Sequence, residues 1–187
     1  MNLQHKALVD LLRMAYSAEK AAAFAYQGHV ASVKSELEKT AIKQIEINEW
    51  NQRHEVLTIM NQYGIEPSCY YEIRFHIVGK LISTGCYVIG WFMPFYSVGH
   101  LESSNVCKYF RMIHFFHELE IREHDQTLYE MGVKEKEHED YFYTQLKGHK
   151  MLPLFERLFL WGDKQKFNDL NMVEQLPSSR SEEYCKK

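Results

Sequence analysis

The amino-acid sequence predicts an all-α protein, an antiparallel four-helix bundle with a short extra C-terminal helix. Four long segments repeat apolar residues in alternating steps of three and four, the spacing that lines one face of a helix. Glycine (9) and proline (4) are too sparse in 187 residues for a turn-rich β fold. Each of the four segments also carries one acid in the middle of its apolar stripe. The length suits one domain with a real core. The expected organisation is a helical bundle over residues 1–162 and a polar, loosely ordered tail over 163–187, which includes Pro177-Ser178-Ser179-Arg180-Ser181-Glu182-Glu183.

The first segment runs from Leu3 to about Val30, with Leu12, Ala15, Glu19, Ala22 and Tyr26 on one stripe. Ser35-x-x-Glu38 is a capping-box signal that opens the second segment, and Gly64 and Pro67 close it. Its stripe is Ile42, Ile45, Glu49, Gln52, Val56 and Ile59, in which Glu49 and Gln52 are the only polar members. A third stripe, Phe95, Val98, Glu102, Asn105, Tyr109, Met112 and Phe116, carries a helix to about Phe116. The fourth helix is expected to include Glu120 to about Lys147, with the stripe Leu128, Met131, Glu135, His138, Phe142 and Gln145. A short amphipathic piece from His149 to Trp161 follows and is expected to cap the bundle.

Composition narrows the function classes. A net charge of -3 without a basic block leaves no nucleic-acid footprint. Cys69, Cys86, Cys107 and Cys185 are widely spaced and form no C-x-x-C, which suggests a reducing compartment. Asp10 and Glu19 interrupt the N-terminal segment, unlike the unbroken apolar run of a signal peptide, so a cytoplasmic protein is expected. The tract from Leu81 to Gly99 has no formally charged residue, but Pro94 and three glycines break it, so it is not expected to span a membrane. Burial is the first expectation for this tract. An apolar face left open there would suit a peripheral membrane contact or a homo-dimer.

Glu135-x-x-His138 stacks a carboxylate and an imidazole on one helical face, the arrangement that di-metal bundles aim inward. Glu19, Glu49, Glu102 and Glu135 place four carboxylates at core positions of successive helices. Four buried acids lose water and repel one another, and two divalent cations would compensate them. Hard oxygen donors with imidazole suit iron or manganese. Tyr16, Tyr26 and Tyr109 could order these acids through their hydroxyls. His100, His114 and His117 are set aside as hydrogen-bonded or half-exposed residues. His54, five residues beyond Glu49, points about 140° around the helix from it.

These residues resemble the demethoxyubiquinone hydroxylase family, within the ferritin-like di-iron carboxylate proteins. The family's ligand order is Glu, Glu-x-x-His, Glu, Glu-x-x-His, and the intervals of 30, 53 and 33 residues from Glu19 to Glu49, Glu102 and Glu135 are similar. Glu49-Trp50-x-x-Arg53 and Gly99-His100-Leu101-Glu102 also resemble family text, and the likeness covers about residues 8 to 146. It implies a ferritin-like fold and two iron ions, with manganese or a mixed Fe/Mn pair as the variant. Glu19, Glu49, Glu102, Glu135 and His138 would be ligands, Tyr109 would lie near the site, and no residue would be catalytic outside the metal centre. It further implies hydroxylation of an apolar, quinone-like substrate with O2 and an electron donor. A place on the inner face of the membrane follows, since the family's substrate is held there. Where the family has its first histidine, this chain has Gln52, a weaker ligand that makes the site lopsided. Glu46, three residues before Glu49, is a further acid near the same stripe. The alternatives are a ferritin-like bundle that binds metal without oxidising a substrate, and a bundle whose acids are paired by Lys or Arg.

Overall fold

The computed structural model describes residues 3–159 and 161. They form six α-helices: α1 (Lys6–Ser32), α2 (Glu36–Gln62), α3 (Cys69–Gly85), α4 (Phe92–Glu118), α5 (Asp125–Leu146) and α6 (Leu152–Phe159). No strand occurs among the described residues, so the chain is all-α as expected. The starts of α1, α2 and α3 are capped by side chains. The His5 imidazole accepts from the Leu8 amide at 3.0 Å, the Ser35 hydroxyl from Glu38 at 3.4 Å, and the Ser68 hydroxyl from Tyr71 at 3.4 Å. Gly64, at φ +65°, reverses the chain just past α2. The chain divides into two compact units, Met1–Pro94 and Phe95–Lys187. The expected tail over 163–187 lies outside the described residues.

In the first unit α1 packs against both α2 and α3. The helix α3 is an element that sequence reasoning did not separate. Small residues let it lie close to α1: a Cβ on Gly28 would stand 2.2 Å from the Ser83 carbonyl oxygen, and one on Gly79 would stand 2.7 Å from the Ala21 Cα. Glu72 near the start of α3 ties the unit together. Its carboxylate accepts from Lys20 Nζ at 2.6 Å, Ser17 Oγ at 2.8 Å, and Arg53 through two nitrogens at 3.0 and 3.1 Å. The Arg53 guanidinium also lies over the Tyr16 ring and donates to the Tyr16 carbonyl.

These inward contacts turn the apolar side of α3 outward. Tyr70, Ile73, Ile77 and Leu81 share one exposed face, with Leu81 67% accessible, and the exposed run continues through Tyr87, Val88 and Ile89. The expected burial of the uncharged tract therefore holds from Phe92 to Gly99, apart from half-buried Met93 and exposed Ser97, but from Leu81 to Trp91 only Cys86 is buried. The tract is split between two helices, with Gly90 at φ +82° in the connection. No helix among the described residues is long and apolar enough to cross a membrane. Cys69 and Cys86 are free, whereas Cys107 is in a disulfide that the wide cysteine spacing does not announce.

In the second unit the α4 stripe from Phe95 to Phe116 is buried at every expected position. Gly132 of α5 sits under the Phe110 ring, and Phe95 meets Phe142 edge-on at 5.6 Å. The fourth helix begins at Asp125, not near Glu120. Glu120 takes a left-handed φ of 59°, Ile121 N donates back to Phe116 O at 3.0 Å, and His117 pairs with Asp125 at 2.8 Å. The α5 stripe holds through Phe142, but Gln145 is exposed and Leu146 takes the buried place. The short C-terminal helix is present as α6. Beyond it, Trp161 is buried against Gly99, and the Tyr96 hydroxyl donates to the carbonyls of Phe155 and Trp161 at 2.9 and 3.3 Å.

Partial burial alone would raise the Glu72 carboxyl pKa, but hydrogen bonds from Arg53, Lys20 and Ser17 outweigh it and hold the group at about 2. A carboxyl depressed in the folded state stabilises above its unfolded value, and this contribution disappears as pH falls through the folded one. Wild type should melt higher than Glu72→Gln near neutral pH. The gap should close as pH drops from about 4.5 towards about 2, and a gap that stayed constant across this window would refute the charge-based role.

Candidate metal centre

The register of α4 and α5 decides which polar groups enter the core. On α4 the apolar neighbours Val98, Val106 and Tyr109 are buried and carry Glu102 in with them. On α5 Leu128, Met131 and Phe142 do the same for Glu135 and His138. Glu102, Glu135 and His138 are at most 3% exposed. Each offers one ligand atom, and these atoms lie within 4.8 Å of one another. Two carboxylates and an imidazole this close suit a divalent cation, which compensates both charges and uses the oxygens as ligands. Burial pushes the His138 pKa below its ordinary value, against the upward pull of the Glu102 carboxylate. Burial thus favours the neutral imidazole, the form that ligates.

Asn105, one turn beyond Glu102, orients it. Its Nδ2 donates to Glu102 Oε2 at 3.2 Å, while its Oδ1 accepts from Lys108 Nζ at 2.6 Å. Sequence reasoning placed Asn105 on the stripe without giving it a role. The signal was there: Asn105 follows Glu102 by the same three residues that separate Gln52 from Glu49 and His138 from Glu135. A second support lies beside His138. Glu139 Oε1 accepts from Trp161 Nε1 at 2.7 Å, its Oε2 pairs with Lys136 at 3.1 Å, and Lys136 also reaches Asp140 at 2.6 Å. Local periodicity could not reveal this contact because Trp161 is twenty-two residues away in the chain.

The first unit holds the remaining expected ligands. Glu19 on α1 and Glu49 and Gln52 on α2 are all buried, at 2%, 0% and 5% exposure. Tyr26 and Tyr109 are buried too, each in its own unit. Glu46 is committed elsewhere: its Oε1 accepts from Gln27 at 3.0 Å and its Oε2 from Lys43 at 2.6 Å. Burial would raise the Glu46 pKa, but Lys43, Gln27 and Trp50 together lower it. It is a paired carboxylate that stiffens α2. Gln52 differs, because neither atom of its buried amide has a hydrogen-bond partner among the described residues. His54 is exposed, as its rotation from Glu49 requires. His114 pairs with Glu118 at 3.1 Å and His117 with Asp125, consistent with setting both aside as ligands.

No family model, curated protein or solved structure matches the chain.

If Asn105 fixes the Glu102 carboxylate for a cation, Asn105→Ala should weaken divalent-metal affinity by about 10–100-fold, the usual scale for such supporting groups. Competition titration with a metal indicator measures this, and an unchanged affinity would remove Asn105 from the site.

Proposed function

We propose that this protein is a ferritin-like di-iron carboxylate oxygenase that hydroxylates an apolar, quinone-like molecule, in the manner of the demethoxyubiquinone hydroxylase family. The observation that supports it most is the buried cluster of Glu102, Glu135 and His138. In this reading Glu102, Glu135 and His138 are metal ligands, as the resemblance also implies for Glu19 and Glu49, with Gln52 as a weaker donor. Bound iron would supply O2 activation: one oxygen atom enters a carbon–hydrogen bond, the other leaves as water, and an external donor provides two electrons.

The chain's own contribution is placement and exclusion. The carboxylates offset the cation charge and fix its position, with Asn105 holding Glu102. Buried Phe95, Met112, Phe116 and Phe142 keep water from the surrounding core, which strengthens each electrostatic contact there. The Tyr26 and Tyr109 hydroxyls are assigned to ordering the site's acids. Gln52 also favours a second reading, a metal-binding bundle without substrate oxidation, because an amide is a weaker iron ligand than imidazole.

Anaerobic Fe(II) titration with elemental analysis, followed by O2 uptake in the presence of a reductant, separates the two readings. Two irons per chain with sustained O2 consumption is the expected result. Iron bound without turnover would leave the metal-binding alternative, and no bound iron would sink the oxygenase assignment and leave acids that serve another ion or another purpose.

An apolar substrate suits a protein that works at a lipid surface, and the outward face of α3 is the surface we assign to that contact. From Ile73 to Leu101 the only formally charged residues are Arg74 and Lys80, both cationic, which fits anionic headgroups beside an apolar layer. Wild type should float with anionic phospholipid vesicles. The Ile77→Glu/Leu81→Glu variant should stay in the bottom fraction with an unchanged melting temperature, because both residues are exposed. Equal flotation of the two would refute the assignment.

A further inference from the structure

We infer that α6 and the turn before it form the docking face for an acidic one-electron carrier protein, and that a file of packed aromatic rings leads from this face to the turn of α5 that holds His138. The inference rests on the oxygenase reading above and assigns its external donor a chemical class and a place of entry. Every residue it needs lies in the second unit.

The face combines exposed apolar side chains with a cationic rim. Met151, Leu154, Leu158 and Phe159 are all exposed, and Leu154 and Leu158 stand one turn apart on α6. Lys147, Lys150 and Arg157 are exposed around them, with Arg157 one turn from Leu154. Over residues 141–161 the only acid is Glu156, and its carboxylate already accepts from the Tyr143 hydroxyl at 2.9 Å. An apolar centre rimmed by cations fits a partner that carries carboxylates around a small apolar contact. Weak electron-transfer encounters are of this kind: their interfaces are small, and opposite charge steers the two proteins together.

What lies beneath this face favours an electron carrier over a lipid surface. The exposed Phe159 ring stacks on Phe155 at 5.5 Å and stands 6.0 Å from Tyr96, and Tyr96 meets Trp161 edge-on at 5.0 Å. Gly99 makes room for the fully buried indole, since a Cβ there would stand 2.4 Å from Trp161 Cη2. The indole Nε1 then donates to Glu139 Oε1 at 2.7 Å, and buried Glu139 directly follows His138 on α5. Electron transfer slows steeply across gaps, and packed rings joined to a hydrogen bond leave none along this route. A lipid contact has no use for such a route. Each docking would oxidise the carrier by one electron and reduce the centre by one, so two dockings supply the pair that O2 activation consumes.

The test uses the full iron-loaded chain, with an acidic plant-type [2Fe–2S] ferredoxin as probe. Calorimetry measures binding, and anaerobic stopped-flow follows oxidation of the reduced probe. Wild type should bind, and binding should weaken as salt rises from about 0.05 to about 0.5 M. Lys150→Glu/Arg157→Glu should weaken binding by about 10–100-fold through like-charge repulsion. Its iron content, melting temperature and reduction by dithionite should stay unchanged, because both residues are exposed. Trp161→Phe keeps a ring over Gly99 and removes the Nε1 donor, so it should bind the probe fully and lose the fast transfer phase. Iron-loaded wild type that does not bind the ferredoxin, or a charge-reversed variant that binds it equally, would overturn the inference and leave the oxygenase reading standing. A charge-reversed variant that keeps ferredoxin binding but no longer floats with anionic vesicles would overturn it in favour of a lipid contact. Fast transfer retained by Trp161→Phe would refute the aromatic route. Wild type that holds no iron would sink the oxygenase reading, and this inference with it.

Discussion

A carboxylate taken out of water needs an opposite charge or a full set of hydrogen bonds, and this chain buries acids on α1, α2, α4 and α5. The rest of the structure is arranged around how each is compensated. Glu46 has Lys43 and Gln27, Glu139 has Lys136 and the Trp161 indole, and half-buried Glu72 has Lys20, Arg53 and Ser17. Glu102, with Asn105 on one oxygen, and Glu135 lie close to each other and to His138, whose neutral form burial favours, a grouping that could hold a cation. The contrast separates acids that hold helices in place from acids that can hold an ion.

The stripes were legible because helical period and burial are one constraint seen twice. Every expected seam residue on α4 is buried, as are the acid and the residue one turn beyond it on α2, α4 and α5. Reading failed where a local pattern does not fix direction. The apolar side of α3 gives the same period whether it faces in or out, and its outward aim is set by Gly79 against Ala21 and by Glu72 bonded to α1 and α2, none of which has an apolar signature. The start of α5 was missed because Glu120 adopts a left-handed turn that a non-glycine residue rarely announces. Trp161 was taken only as the end of a short helix, and its bond to Glu139 depends on tertiary packing.

The construction of α3 has a further consequence. A helix normally attaches by its apolar stripe, which makes its outer face polar. Here the attachment is made by close backbone approach at Gly28 and Gly79 and by one charged hub, which leaves the apolar stripe for another surface. Stability and surface chemistry are thereby separated. Outer residues such as Ile77 and Leu81 can change without loss of packing, whereas Gly28 or Glu72 cannot.

One geometric device recurs in the buried stripes. A residue three positions after an acid lies beside it on the helix, and the chain uses this place for three chemistries. Asn105 spends its amide on Glu102, so that the acid is oriented and the amide is satisfied. His138 places an imidazole, kept toward its neutral form by burial, within ligand distance of Glu135 and Glu102. Gln52 has the reach of the first and the setting of the second, yet its amide meets no donor or acceptor among the described residues. Since Asn105 shows that an amide at this spacing can bond its own helix's acid, the open amide of Gln52 is not forced by backbone geometry. It is a choice of side chain, and it sets Gln52 apart from the buried polar residues whose partners are in place.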